Sequence, residues 1–166
     1  MFSESERIES RRGQESVWEY PRPPRIERVS EMLRVAFASI TIAETRNGFR
    51  VLETSHPPVF YFPPEDVKTQ FLVASPKKSY CEFKGIASYW TVDVLGKRSN
   101  NAAWSYPHPS NGFRVLTNSI AFYASRVDDC WVGAERVQAQ TSDFYGGWIT
   151  SNLIGPFKGP PGTLGW

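Results

Sequence analysis

Along residues 33–42 the chain reads LRVAFASITI, and apolar residues first fall on every second position: Leu33, Val35 and Phe37, interleaved with Arg34, Ala36 and Ala38. A period of two predicts a strand with one buried face. After Phe37 the parity slips, and Ile40 and Ile42 carry the pattern on. Such a slip needs a bulge or a tight turn near Ala38 and Ser39. Next, TRNGFRVLE sets Asn47-Gly48 between two strand-like runs. Both residue types tolerate positive φ, so the pair predicts a two-residue hairpin with Thr45 facing Arg50 and Ala43 facing Leu52.

The words PPVFYFPPEDV give a short strand over residues 59–62, stopped by Pro63-Pro64. Pro64 followed by Glu65 and Asp66 suits a helix opening, because proline gives up an N–H that has no partner there and the acids meet the positive end of the dipole. One short helix near 64–72 is expected, ended before Pro76. From residue 85 the pattern is β again. Ile86, Ser88, Trp90, Val92 and Val94 share one face, and Ala87, Tyr89, Thr91 and Asp93 the other. After a turn at LGKRSNN, Ala102, Trp104 and Tyr106 alternate. Asn111-Gly112 marks a further turn, and the β-branched and aromatic content of residues 120–140 favours more strands, with a turn at VGAE.

Both ends differ from this middle. Residues 1–16 mix Glu and Arg and hold little to bury, which predicts a mobile arm or a short surface helix. Pro21, Pro23 and Pro24 then impose an extended path, anchored by Val17, Trp18 and Tyr20. Residues 141–166 combine glycine and proline with Phe144, Tyr145, Trp148, Phe157 and Trp166. The glycines and prolines rule out regular structure, and the aromatics rule out a plain solvated linker. This tail either packs on its own domain, residues 17–140, or docks a protein partner. The fold class is therefore mainly β: a single twisted antiparallel domain with one short helix, an N-terminal arm and an aromatic tail.

Composition sharpens the picture. Aromatic residues are 14% of the 166, which favours strands or a binding surface over a helical bundle. The formal net charge is +2, with acids and bases interspersed, so there is no basic stripe for nucleic acid. No apolar run approaches the ~20 residues of a membrane helix, and the first residues have no apolar core for a signal peptide. The reading is a soluble cytoplasmic protein. Cys81 and Cys130 stand singly, as two strand cysteines packed like small apolar groups.

Motif by motif, chemistry is scarce. A phosphate loop ending at Gly96-Lys97 would need a glycine where Thr91 stands. GPFKGPPG lacks, at its prolines, the amides that cradle phosphate. There is no HExxH and no D-x-D. Cys81, Cys130, His56 and His108 lack ligand spacing, so no metal and no cofactor are expected. Cys81 with His56 and Glu53 is the one nucleophile–base–acid set the composition permits. A different grouping is more promising. Glu53 and His56 stand three apart before a diproline, with Tyr61 following. Lys84, Tyr89, Trp90, Asn101, Trp104 and Tyr106 add polar tips to large apolar bodies, a mixture suited to a concave pocket. The alternative is that the tryptophans are core and Glu53 pairs with Arg50 or Lys84.

Read together, RVLETSHPPVFYFPPEDV, YCEFKGIASYW and NAAWSYPHP, preceded by ESVWEYPRPPRIE, resemble the domain-of-unknown-function family numbered 427. The resemblance spans roughly residues 15–138. It implies a compact β-rich domain related to the β-tent, or Mss4-like, architecture, with a pocket between its sheets. Relatives of that architecture bind zinc through two CxxC pairs; this sequence has neither, so the metal does not carry over. The family has also carried a nucleotidyltransferase label, for which the glycine-serine start and D-x-D are missing here. Glu53, Tyr61, Lys84, Gly85, Trp90, Trp104 and Tyr106 lie inside the family's words. The tail resembles the C-terminal extension of longer members.

The expected function is a small-ligand-binding domain in which Trp90, Trp104 and Tyr106 form walls, Lys84 binds an anionic group, and Glu53 accepts hydrogen bonds or neutralises Lys84. Two alternatives stand beside it. One is an enzyme with Glu53 or His56 as general base and Lys84 stabilising negative charge. The other is an assembly protein that docks through residues 141–166.

Overall fold

The computed structural model describes residues 13–166. Most of the expected arm lies outside the described residues. Its last part, Glu15–Ser16, is a short strand lying parallel to Leu153–Ile154 in the tail.

The described chain is mainly β, in several antiparallel sheets that do not close into a barrel. The large sheet has the spatial order Ile120–Phe122, Lys97–Ser105, Gly85–Val94, Leu72–Cys81. A second four-stranded sheet runs Glu135–Arg136, Asp129–Val132, Leu33–Phe37, Ile40–Thr45. A small sheet consists of Arg25–Arg28, Phe49–Leu52 and Val59–Tyr61.

The slip in parity after Phe37 has two causes, a bulge and a turn together. The pairing register shifts between Val35 and Ala36, and Phe37 then faces Ile40 across a two-residue turn. Ala38 and Ser39 hold φ of 52° and 64°, the paired left-handed geometry that matches strand twist. Leu95 and Gly96 repeat it, with Val94 opposite Lys97.

Three expectations need correction. The tail does hold regular structure: Trp148–Ile149 pairs antiparallel with Gln138–Ala139, and Leu153–Ile154 pairs with Glu15–Ser16, at points where glycine and proline are absent. Asn47-Gly48 makes no hairpin: Ile40–Thr45 pairs with Leu33–Phe37, whereas Phe49–Leu52 pairs with Arg25–Arg28 and Val59–Tyr61 in a different sheet. Gly48 is required for closeness, since a Cβ there would lie 2.4 Å from Leu33 Cδ1. The helix near 64–72 is two separate 3-10 turns, Pro64–Asp66 and Thr69–Phe71. Between them Val67 bridges Ala43, and the Lys68 N–H donates to the Ile42 carbonyl, which pulls the chain out of helical geometry. Pro76 then lies within the Leu72–Cys81 strand, at the outer edge of the sheet and at a register shift, where its missing N–H is tolerated.

Three apolar clusters result, the smallest joining Val17 and Tyr20 to Leu52, with Leu153 and Phe157 of the tail packed against it. In the first, Leu33, Val35 and Phe37 of the second sheet pack with Val92, Val94 and Phe122 of the large sheet. Trp148, from the tail, is buried among them. It stacks on Phe60 at 5.2 Å and donates its indole N–H to the Phe122 carbonyl at 2.9 Å. The second cluster joins Val51 and Tyr61 of the small sheet to Tyr89, Trp104, Tyr106 and Tyr123. The word VFYF serves both: Phe60 and Phe62 enter the first cluster, while Val59 and Tyr61 face the second.

Candidate functional site

Beside the second cluster lies a cavity of about 370 Å³. Its walls come from the small sheet, the large sheet and the tail. Glu53, His56, Tyr61, Lys84, Trp104 and Tyr106 all border it, as do Cys81 and Tyr89.

Glu53 and His56 are brought together by a turn rather than a strand. The His56 N–H donates to the Glu53 carbonyl at 3.0 Å, and Ser55 sits at φ 73°. The proline-rich segment fixes this turn: the Thr54 hydroxyl donates to the Tyr20 carbonyl, and the Ser55 N–H to that of Val17. Within the turn, Glu53 Oε2 lies 3.9 Å from His56 Nε2 and 3.4 Å from the Arg22 guanidinium. Glu53 therefore pairs with Arg22, and not with Lys84 or Arg50. Burial, reinforced by Lys158, Arg22 and Lys84, pushes the His56 imidazole down to about 4, so it is neutral at physiological pH. Its ring meets Tyr145 edge to face at 4.7 Å.

Lys84 sits at the tip of the hairpin joining Leu72–Cys81 to Gly85–Val94. Gly85, at φ 104°, closes that three-residue loop, and the Lys84 carbonyl accepts from the Ser110 N–H at 3.0 Å. The residue is 9% exposed. Its ammonium rests 5.8 Å from the ring centroids of Tyr106 and Phe113. No carboxylate among the described residues comes within 4.0 Å of it.

The aromatic wall follows from strand register. Tyr89 pairs with Trp104, so those two side chains share the cavity face, and Trp90 pairs with Ala103 on the opposite face. Trp90 is therefore outside the site; it packs on the first cluster and donates its indole N–H to Ser105 at 3.0 Å. Asn101 is outside as well. It holds φ 52° at the register shift between the Trp90 and Val92 pairings, and its amide oxygen accepts from Ser75. Burial pushes the hydroxyls of Tyr61, Tyr106 and Tyr123 up, so they remain protonated donors. The Tyr89 hydroxyl bonds Ser79, and that of Tyr123 donates to the Phe144 carbonyl at 2.7 Å.

The tail covers the rest. Phe144, Tyr145, Gly146, Lys158 and Trp166 border the cavity. Gly146 lies so close to Trp104 that a Cβ there would be 2.3 Å from its ring. Gln140 bonds the Gly147 N–H and the Lys158 carbonyl, which ties the two tail passes together. Trp166 packs edge-on against Trp18 at 5.3 Å, and its carbonyl accepts from Arg22. None of these tail residues, nor Arg22 and Tyr123, is among the expected site residues. The aromatic spacing of the tail was the one available signal.

Cys81 borders the cavity but makes no hydrogen bond to His56. Cys130 lies in the first cluster, its thiol pushed up by burial and therefore unreactive. Among the described residues, no three His, Cys, Asp or Glu side chains form a group that could hold a metal ion. No helix there is long and apolar enough to cross a membrane.

Residues 25–133 match a family described as a domain of unknown function, DUF427. No curated protein matches the sequence.

Proposed function

The chain belongs to the DUF427 family, and from that premise we propose that it is a non-catalytic domain that binds a small molecule in the cavity between its sheets and its tail. One observation carries this reading: Lys84 is nearly buried at the cavity wall with no carboxylate beside it among the described residues. Aromatic faces soften the cost of burying a cation, but a counter-ion removes far more of it. An anionic group on a ligand would supply one. A cavity of about 370 Å³ falls within the usual range for small-ligand sites. Two free thiols, Cys81 and Cys130, fit a cytoplasmic setting.

Thermal unfolding against a metabolite library tests this. A ligand at a hundred times its Kd should raise Tm by roughly 5–10 °C, and Lys84→Met should remove most of that rise. A folded protein that no small anion stabilises would count against the reading. A catalytic reading has one observation in its favour, the placing of Glu53 and His56 on the same cavity wall 3.9 Å apart. Turnover that disappears in Glu53→Gln and His56→Ala while binding persists would establish it.

A further inference from the structure

Three cationic side chains, Arg22, Lys84 and Lys158, border the cavity, as do the side-chain carboxylates of Glu53 and Glu82. Arg22 is already engaged by Glu53 at 3.4 Å, and His56 adds no charge at neutral pH. Lys84 is the most buried of the three, and no carboxylate among the described residues lies within 4.0 Å of it. A single buried ammonium with no carboxylate beside it matches one negative charge better than a phosphate monoester, which carries close to two at neutral pH.

The backbone argues the same way. Phosphate sites are commonly built from consecutive free amides at a helix start or a glycine nest. The residues lining this cavity lie on strands, turns and loops, with no helix opening onto it. In the tail wall, the Tyr145 N–H is given to Ser142. What the site offers an anion is an ammonium and protonated phenol hydroxyls, such as that of Tyr106, which suits a carboxylate.

The remaining wall is made of rings. Tyr61 meets Trp104 edge to face at 6.5 Å between centroids, and Tyr123 lies 4.6 Å from Trp104 on the tail side. Faces and edges arranged this way favour a flat aromatic body over a flexible chain. The volume, about 370 Å³, is that of about a dozen waters, room for one or two fused rings with a short acidic arm.

We infer that the ligand is a flat aromatic monocarboxylate, its carboxylate on the Lys84 ammonium and its ring among Tyr61, Tyr89 and Trp104. This rests on the reading of the cavity as a ligand site and narrows it to one chemical class.

Calorimetric titration of the full chain with four probes tests it. Naphthoate is the match; naphthalenemethanol removes the charge, decanoate the ring, and naphthyl phosphate adds a charge. Naphthoate should bind one to one, and each of the others at least about tenfold more weakly. Lys84→Met should abolish the preference for naphthoate over the alcohol, and Lys84→Arg should keep it. The comparison among probes uses the unaltered chain, so it holds even if a variant folds poorly. Decanoate or naphthyl phosphate binding as tightly as naphthoate, with loss in Lys84→Met, would overturn the ligand class and leave the cavity reading standing. An alcohol that binds as well as the acid would overturn the role of Lys84. Silence from all four probes overturns the class, and the cavity reading falls with it only if the metabolite library also leaves Tm unmoved.

Discussion

An unfolded chain protonates a histidine near pH 6.5, but His56 in the folded protein resists until about pH 4, held neutral by burial and by nearby Lys158, Arg22 and Lys84. Below pH 6.5 the unfolded state gains a proton that the folded state refuses. Stability from this residue is therefore complete above about pH 6.5 and is lost progressively down to about pH 4, by roughly 3 kcal/mol in total. His56→Gln should flatten that part of the profile, as read by urea unfolding at about pH 7 and about pH 4.5. An unchanged slope would show that the imidazole is not the titrating group. The same residue scale shows where sequence reading stops. That Glu53, Tyr61, Lys84, Trp104 and Tyr106 meet at one hollow is readable from residue types gathered near turns. That Tyr89, and not Trp90, joins them is not, because the side of the sheet each faces depends on register against Trp104, a contact fifteen residues away.

At the scale of elements, the N-terminal segment is joined to the small sheet by charge. Arg50 donates to both oxygens of Glu15, at 2.9 and 2.8 Å, and to Glu27 at 2.8 and 3.1 Å, while the Tyr20 hydroxyl also donates to Glu15. Burial alone would raise the Glu15 carboxyl, but its hydrogen bonds from Arg50 and Tyr20 and the charge of Arg50 outweigh it and hold the group below the usual range. The contribution of that carboxylate is thus present above its unfolded pKa and lost as pH falls through the lower, folded one. Arg50→Met should cost about 2–3 kcal/mol at neutral pH, since it leaves partly buried acids unpaired, and less in acid, where those acids protonate; urea unfolding at both pH values measures it. An equal cost at both pH values would assign the loss to packing. Alternation is legible for strands such as Leu33–Phe37 because one side is buried and the other is not. The sheet a strand joins is less so: Asn47-Gly48 has the residues of a hairpin, yet Gly48 is held against Leu33 and the chain crosses between sheets there.

For the molecule as a whole, the tail does two separable jobs. Its first pass supplies Trp148 to the interior, and large buried aromatics typically cost about 3–5 kcal/mol when truncated. Its second pass, with Phe157, Lys158 and Trp166, borders the cavity and packs on the N-terminal segment at Val17, Trp18 and Tyr20. Deleting residues 141–166 should abolish cooperative unfolding in calorimetry. Deleting residues 159–166 should lower Tm by only a few degrees and speed ligand release in stopped-flow measurements; a collapse as complete as the longer deletion would make the last pass structural too. The alternation of Val59–Phe62 has its own consequence. That short strand is a party wall with tenants on both sides, so recutting it for a new guest would disturb the neighbour. A protein engineer seeking a different guest has freer material in Phe144 and Tyr145, whose rings meet the hollow without also holding up the far room.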